Sequence, residues 1–515
     1  MRYKHAARPG LTLSLLVVSL AVPAAAHAYA VQCGQCHRMT GDLREEVTRP
    51  FDRTITIGGA PTLRVDHRNG DVRIRSHARP ELRIQATIRV SAGSRAEAEA
   101  FADRVRIDVQ EVQGAVTVRT QYPPWSRDSR DLSYSVDYDL LVPKKMPVDV
   151  RNSFGEVSLS GLDADASVIN AHGRLSATDG NGRYRLRNSF GAIDVARVNG
   201  DVAIEGANGE VSASAVKGLL TITNRFGLVT AATITGDAIV GNSNGAVRAS
   251  AITGKVDLRT TFGNTEFRDV GSVSVTSSNG GVTGMNVNGS ANVRATFGPV
   301  NLRNVARDAR VDNSNGAVSV EDVRGGADLS TQFARVDAKA VKGGLRVTAS
   351  NGHVRAIDVD GAVYVRTSFG GVEADGIRGA LTVDNSNGGV SAVAIGGAAS
   401  VSSSFGSVML KNVDGRVDVR NRNGAVEVWP MAKPGSCNDV ALMTSFSPMQ
   451  VHVPDSGYTL AARTTFGTIR ADVPITATGV MSGQSISGTI GSGGCSMQLT
   501  NSNGNIQILR AITTR

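Results

Sequence analysis

The stretch Tyr184–Ala213, YRLRNSFGAIDVARVNGDVAIEGANGEVSA, decides the fold. It states one phrase twice: two apolar residues spaced by one, a corner ending in Phe190-Gly or Asn208-Gly, then two more apolar residues spaced by one. Working outward, Phe154, Phe190, Phe226, Phe262, Phe297, Phe333, Phe369 and Phe405 recur every 36 residues, with one step of 35. Each is followed by Gly except Phe333, which precedes Ala334. Midway between them stand Asn208, Asn244, Asn279, Asn315, Asn351, Asn387 and Asn423, each followed by Gly, and His172-Gly173 fills the first such slot. The true period is therefore half the Phe spacing, with Phe and Asn alternating in one column.

The apolar columns say what each unit does. Four residues before the Phe/Asn column sit Val150, Val168, Leu186, Ile204, Ile222 and Val240; three after it sit Val157, Leu175, Ile193, Val211, Val229 and Val247. Flanking apolar positions alternate with polar ones, so each unit holds two short strands with β-branched or small residues inward. Asn-Gly and a second Gly, as at Gly200, Gly218 and Gly236, supply the positive φ of tight corners. Such a unit cannot bury its apolar face alone but can when stacked on its neighbours. The expected fold is all-β, a single-stranded parallel β-solenoid (a β-helix) of 18-residue rungs with an N-terminal β-rich cap. Arg151 to Trp429 has room for about fifteen rungs, a rod of roughly 75 Å. A parity break near Leu162, Val198 and Ile234 points to a short third face. Three residues before the column, Arg187 precedes Glu205, Arg294 precedes Asp312 and Arg366 precedes Asp384, each by one rung, which reads as register-keeping on a solvated face.

Composition agrees. Glycine numbers 58 and aromatics are only 4%, yet 41% of the 515 residues are hydrophobic, which disfavours both a helix-covered enzyme sheet and a disordered chain. Residues 1–30 read as a signal peptide: a basic start, the apolar run Leu11 to Val22, and A-x-A sites at Ala26-His27-Ala28 and Ala28-Tyr29-Ala30. The formal charge of +9 falls to +6 once Arg2, Lys4 and Arg8 leave with that leader, too little for a nucleic-acid partner. No later segment is long and apolar enough to span a bilayer. Residues 31–50 read as a Cys-containing linker, 51–148 as the cap with one short helix, 149–429 as the regular solenoid, and 430–515 as irregular C-terminal rungs. Cys437 and Cys495 fall in the last segment and are expected to pair in an oxidising compartment, contributing about 4 kcal/mol by loop entropy.

Few signals carry chemistry. Cys33-Gly-Gln-Cys36-His37 has the spacing of a c-type haem attachment site, two thiols and an axial His, but lies too close to the first strand for a haem-burying domain. The competing account is a disulfide-prone pair near a terminus. Gly241-Asn-Ser243-Asn-Gly245 matches a nucleophile elbow only in letters, because no helix is expected after it. No clustered metal-ligand set and no recurring stacked carboxylate pair is present, so no metal, no cofactor other than haem, and no catalytic residue is expected.

The leader, the cap and the recurring N-S-F-G-x-V and N-S-N-G-x-V rungs resemble the bacterial putative-adhesin β-solenoid domains, over roughly residues 50–515. That resemblance implies an exported β-solenoid and brings no catalytic residues with it. The expected function is a non-enzymatic, adhesin-like binding or scaffold protein at the cell envelope, in the periplasm or at the cell surface. Its partner is then an envelope component, a polysaccharide or another protein. The alternatives are a self-assembling rod that associates end to end and a haem-bearing electron carrier. The eight Phe of the column admit two readings. Facing outward they form an aromatic ladder whose pitch of roughly 10 Å suits the disaccharide of an extended polysaccharide; folded over the corner, they seal the core. The seal is the preferred reading, since open core edge lies beside each corner.

Overall fold

The computed structural model describes residues 44–515, apart from 60, 113, 125–131, 432–436, 480 and 512–515. Residues 45–515 form one unit, a parallel β-solenoid of about 16 turns. Each turn contributes one strand to each of two parallel sheets, as Tyr184–Phe190 and Ile193–Asn199 do. Registers advance by one rung at a time: Leu186 lies beside Ile204, and Val195 beside Ala213. Valine, leucine, isoleucine and alanine from both sheets fill one continuous core along the rod.

Core volume is balanced between rungs. Phe267 is buried at a position where the next rung has Gly284, whose missing Cβ would stand 2.2 Å from the ring. Tyr184 likewise uses the space left by Gly180.

Two kinds of corner close each turn. At the Phe/Asn corner, the amide of the following glycine donates to the next rung, as from Gly173 to the Phe190 carbonyl (2.9 Å). A Cβ on Gly173 would lie 2.1 Å from the carbonyl oxygen of Gly155, so the stacked backbones leave room for nothing larger. The third-face corner is made differently. Asp179, Arg197, Ala215, Thr233, Ala251, Asp269, Asn286 and their equivalents adopt φ of 52–58°. This left-handed residue flips the parity, and it is why Val198, Val216 and Ile234 point inward. Along it, Asn286 donates to Asp269 (2.7 Å) and Asn304 to Asn286 (2.9 Å).

Both ends depart from simple stacking. At the N-terminal end the rung of Thr62–Asp66 and Val72–His77 pairs inward with Val148–Phe154 and Val157–Ser160, and outward with Ala115–Gln121 and Ser133–Pro143. Antiparallel strands Glu45–Thr56, Glu81–Ala92 and Arg106–Val112 and the helix Arg95–Ala102, N-capped by Ser94, complete that cap. Strand Glu45–Thr56 begins inside the segment read from the sequence as a linker, which corrects that boundary: its pairing is antiparallel and edge-on, and only Val47 of its side chains is buried. At the C-terminal end the spatial order of strands is Val417–Asn423, Val440–Thr444, Cys495–Asn501, then Tyr458–Thr464. The last stretch of chain is therefore the penultimate rung. Ser485–Ile490 runs antiparallel on the outermost strand and ends the parallel stacking. The Cys437–Cys495 disulfide fastens the inserted rung to its neighbour.

Candidate binding surface

The Asn-Ser-Phe-Gly corner sets two side chains in opposite directions. The first Asn points inward: Asn152, Asn170, Asn188, Asn224, Asn242, Asn313, Asn385 and Asn421 form a buried column. Their Nδ2 atoms donate to corner glycine carbonyls, as Asn188 does to Gly173 (2.8 Å) and Gly191 (3.1 Å). Their Oδ1 atoms are buried without a partner. The residue two places before each Phe is buried throughout, Asn before Phe154, Phe190 and Phe226, Thr before Phe262, Phe333 and Phe369, Ala before Phe297 and Ser before Phe405, and the Phe is turned out in every case. Phe154, Phe190, Phe226, Phe262, Phe297, Phe333, Phe369 and Phe405 are 45–61% exposed. The preferred expectation, that they seal the core, is thus corrected: the buried residue two places earlier occupies the inside of the corner instead.

Pairing extends this outward column beyond the regular repeat. Asn69 bridges to Phe154 at one end. At the other, Asn423 is followed in space by Phe446, Asn503 and Phe466, as the amides of Phe446, Asn503 and Phe466 bond the carbonyls of Arg422, Ser445 and Ser502. Phe446 and Phe466 are exposed too, the latter 72%. The ladder therefore reads Asn69, Phe154, His172, Phe190, Asn208, Phe226 and so on to Asn503 and Phe466, ring and polar group alternating without a slip. Alternation survives the place where spatial order and chain order part.

Ring geometry is fixed at the first rungs. His172 lies between Phe154 and Phe190 with centroids 4.8 Å from each and planes within 3°. Rings so close cannot lie side by side, so their faces look along the rod and their edges outward. Where Asn takes the slot, its amide bends back: Asn208, Asn315, Asn351 and Asn387 donate to the carbonyls of Ser189, Thr296, Gln332 and Ser368 at 3.1–3.3 Å. From Asn244 to Phe405 the residue before each ladder position is Ser, Thr or Gln, and the residue after it is Gly or Ala. At its centre the edge is uncharged, its rings set among small or neutral polar residues.

Other surfaces are charged and ordinary. Arg187–Glu205 (3.8 Å) and Arg366–Asp384 (3.5 Å) form the expected stacked pairs; Arg294 and Asp312 stand in register, but Asp312 accepts from Ser330 instead. Arg197 makes a two-pronged contact with Asp179 (2.6 and 2.9 Å), and this hydrogen bond holds the carboxyl below its usual range. A shallow groove over Gly326, Gly344, Ala362 and Ala380 is walled by Arg346 stacked on Tyr364. Among the described residues no group of three or more His, Cys, Asp or Glu is placed to hold a metal, and no helix is long and apolar enough to cross a membrane. Ser243 lies near the end of the strand Ala238–Asn244, and the next element is the strand Val247–Ile252, not a helix. Cys33, Cys36, His37 and the leader lie outside the described residues.

No family model matches the chain, and no curated protein matches it. Among solved structures, similarity is found to a putative cell adhesion protein from Clostridium sporogenes, 12% identical, covering 43% of this chain and 99% of that one, with a TM-score of 0.21. At that score the likeness carries no argument, and the β-solenoid rests on the strand pairing described above.

Proposed function

We propose that this chain is an exported, non-enzymatic rod that acts by binding at the cell envelope, with the Phe/Asn ladder as its binding face. The observation that carries the reading is the unbroken ladder. Ten exposed phenylalanines recurring in one line are unlike the singly scattered hydrophobics of an ordinary solvated face, and support its reading as an interaction surface. Export is supported by the leader and by a disulfide that a reducing compartment would not maintain. A ladder with a two-rung pitch favours an extended, repeating ligand over a compact one. Rings that present their edges outward favour a ligand that enters between them over a sugar chain lying flat on their faces.

The test replaces Phe262, Phe297 and Phe333 by Ser. We expect cosedimentation with isolated cell envelopes to be lost while the melting temperature stays within a few degrees of wild type, because these rings lie outside the core. Retained cosedimentation in a folded variant overturns the assignment of the ladder.

A further inference from the structure

We propose that the occupant of the ladder is a second copy of this chain, docked antiparallel so that each Phe of one copy enters an Asn slot of the other. This rests on the ladder's being the binding face and goes on to name its partner: at the envelope the ladder is met by a copy of the chain already held there. The His172 rung shows that the space between two successive ladder phenylalanines takes one aromatic ring, since its imidazole is already stacked there at 4.8 Å from both. At the Asn208, Asn315, Asn351 and Asn387 rungs that space is left open by the amide, which is tied back to the preceding rung. A second ladder offset by one rung supplies rings at the required spacing, and being the same chain it keeps that spacing along its whole length.

The ends of the ladder fix the orientation. It begins on Asn69 and finishes on Phe466, so full antiparallel overlap sets Asn69 against Phe466, Phe154 against Asn503, and Phe297 against Asn315. Only His172 meets a filled position, opposite Phe446. Full parallel overlap would instead set Phe on Phe throughout. The contact is isologous, as twofold dimers require. The uncharged flanks over Asn244 to Phe405 let two identical edges meet without burying like charges. The nine rings that enter Asn slots, with roughly 100 Å² each outside the core, offer about 900 Å² per copy, above the roughly 800 Å² per partner of a standard stable interface.

Full-length protein with Cys33→Ser and Cys36→Ser is prepared in two forms, one adding Asn69→Cys and one adding Asn503→Cys. These positions lie at opposite ends of one ladder but one rung apart across the proposed dimer. A short bis-maleimide should join the mixed forms into a covalent dimer and leave each form alone largely uncoupled. Light scattering should give a dimer for the otherwise unmodified chain and a monomer for the Phe262→Ser, Phe297→Ser, Phe333→Ser variant. A monomer at high micromolar concentration, or a dimer that survives the triple substitution, overturns the pairing. If the chain is monomeric yet binds envelopes through the same phenylalanines, self-pairing falls and the binding face stands. If it dimerises as described and binds no envelope material, the envelope role falls and the pairing stands.

Discussion

Between Phe154 and Asn423 the ladder alternates because the sequence repeats; between Asn423 and Phe466 it alternates although the sequence does not. In the regular rungs each strand pairs with its equivalent one turn further along the chain, so a duplicated two-rung unit would produce Phe and Asn in turn whether or not the pattern mattered. The C-terminal rungs remove that explanation. There the chain places 495–510 between 440–453 and 458–471, and Phe446, Asn503 and Phe466 still fall in the right order. The pattern belongs to the surface, and the chain is threaded to preserve it.

The largest effect that separates the two regions comes from the disulfide. Replacing Cys437 and Cys495 by Ser should remove about 4 kcal/mol by the loop-entropy estimate for so long a loop. The loss should stay local, because a solenoid's stability is a sum of neighbour terms. Hydrogen exchange should rise after Trp429 while the rungs around Phe262 remain protected. Uniform loss of protection along the rod would mean that the inserted rung is not a separate unit.

A somewhat smaller effect is expected at the opposite end. His67 occupies the inward column two residues before Asn69, bonded to Thr120 (3.0 Å) and set edge-on to Tyr138, and burial pushes its pKa down from 6.5 to about 4. The unfolded chain takes up a proton near 6.5 and the native cap does not, so stability that is complete above that pH declines as the pH falls towards 4. The total is about 3 kcal/mol. His67→Asn, which restores the residue type of the neighbouring rungs, should flatten the profile. Acid exchange that first opens the rungs near Phe262 would contradict this placement.

In the regular rungs a single position should matter little. Asn242→Ala forfeits the bond to Gly227 (2.8 Å) but also removes a buried oxygen with no partner, leaving a net cost of about 1 kcal/mol. Ala295 and Ala349 already stand in that column. Chemical denaturation of the full chain measures it, and a cost several times larger would show that the amide column organises the corner.

Much of this was legible in the sequence. The repeat period, the inward columns, the charge stacking at Arg187 and Arg366, the one short helix of the cap and the Cys437–Cys495 pair all have local signatures. What escaped had none. Strand Glu45–Thr56 buries little and carries Pro50, so no alternation marks it. The left-handed corner is built on Asp, Asn, Ala, Arg and Thr, and only Gly161 and Gly376 advertise the backbone that the others adopt. The direction of the ladder phenylalanines depends on what occupies the corner's interior. Parity fails at a corner, and the inward residue two places earlier, Asn, Thr, Ser or Ala by turns, reads as turn chemistry. The insertion of the final rung was hidden because Asn501-Ser-Asn-Gly504 would suit either neighbour equally well.

The alternation also quantises the length of the molecule. Excising a single turn from the regular region would bring two rings, or two amides, onto adjacent rungs and put everything beyond the cut out of phase. Excising two consecutive turns leaves each neighbour relation as it was. A lineage of such rods therefore keeps the alternation only when it lengthens or shortens by whole pairs of turns.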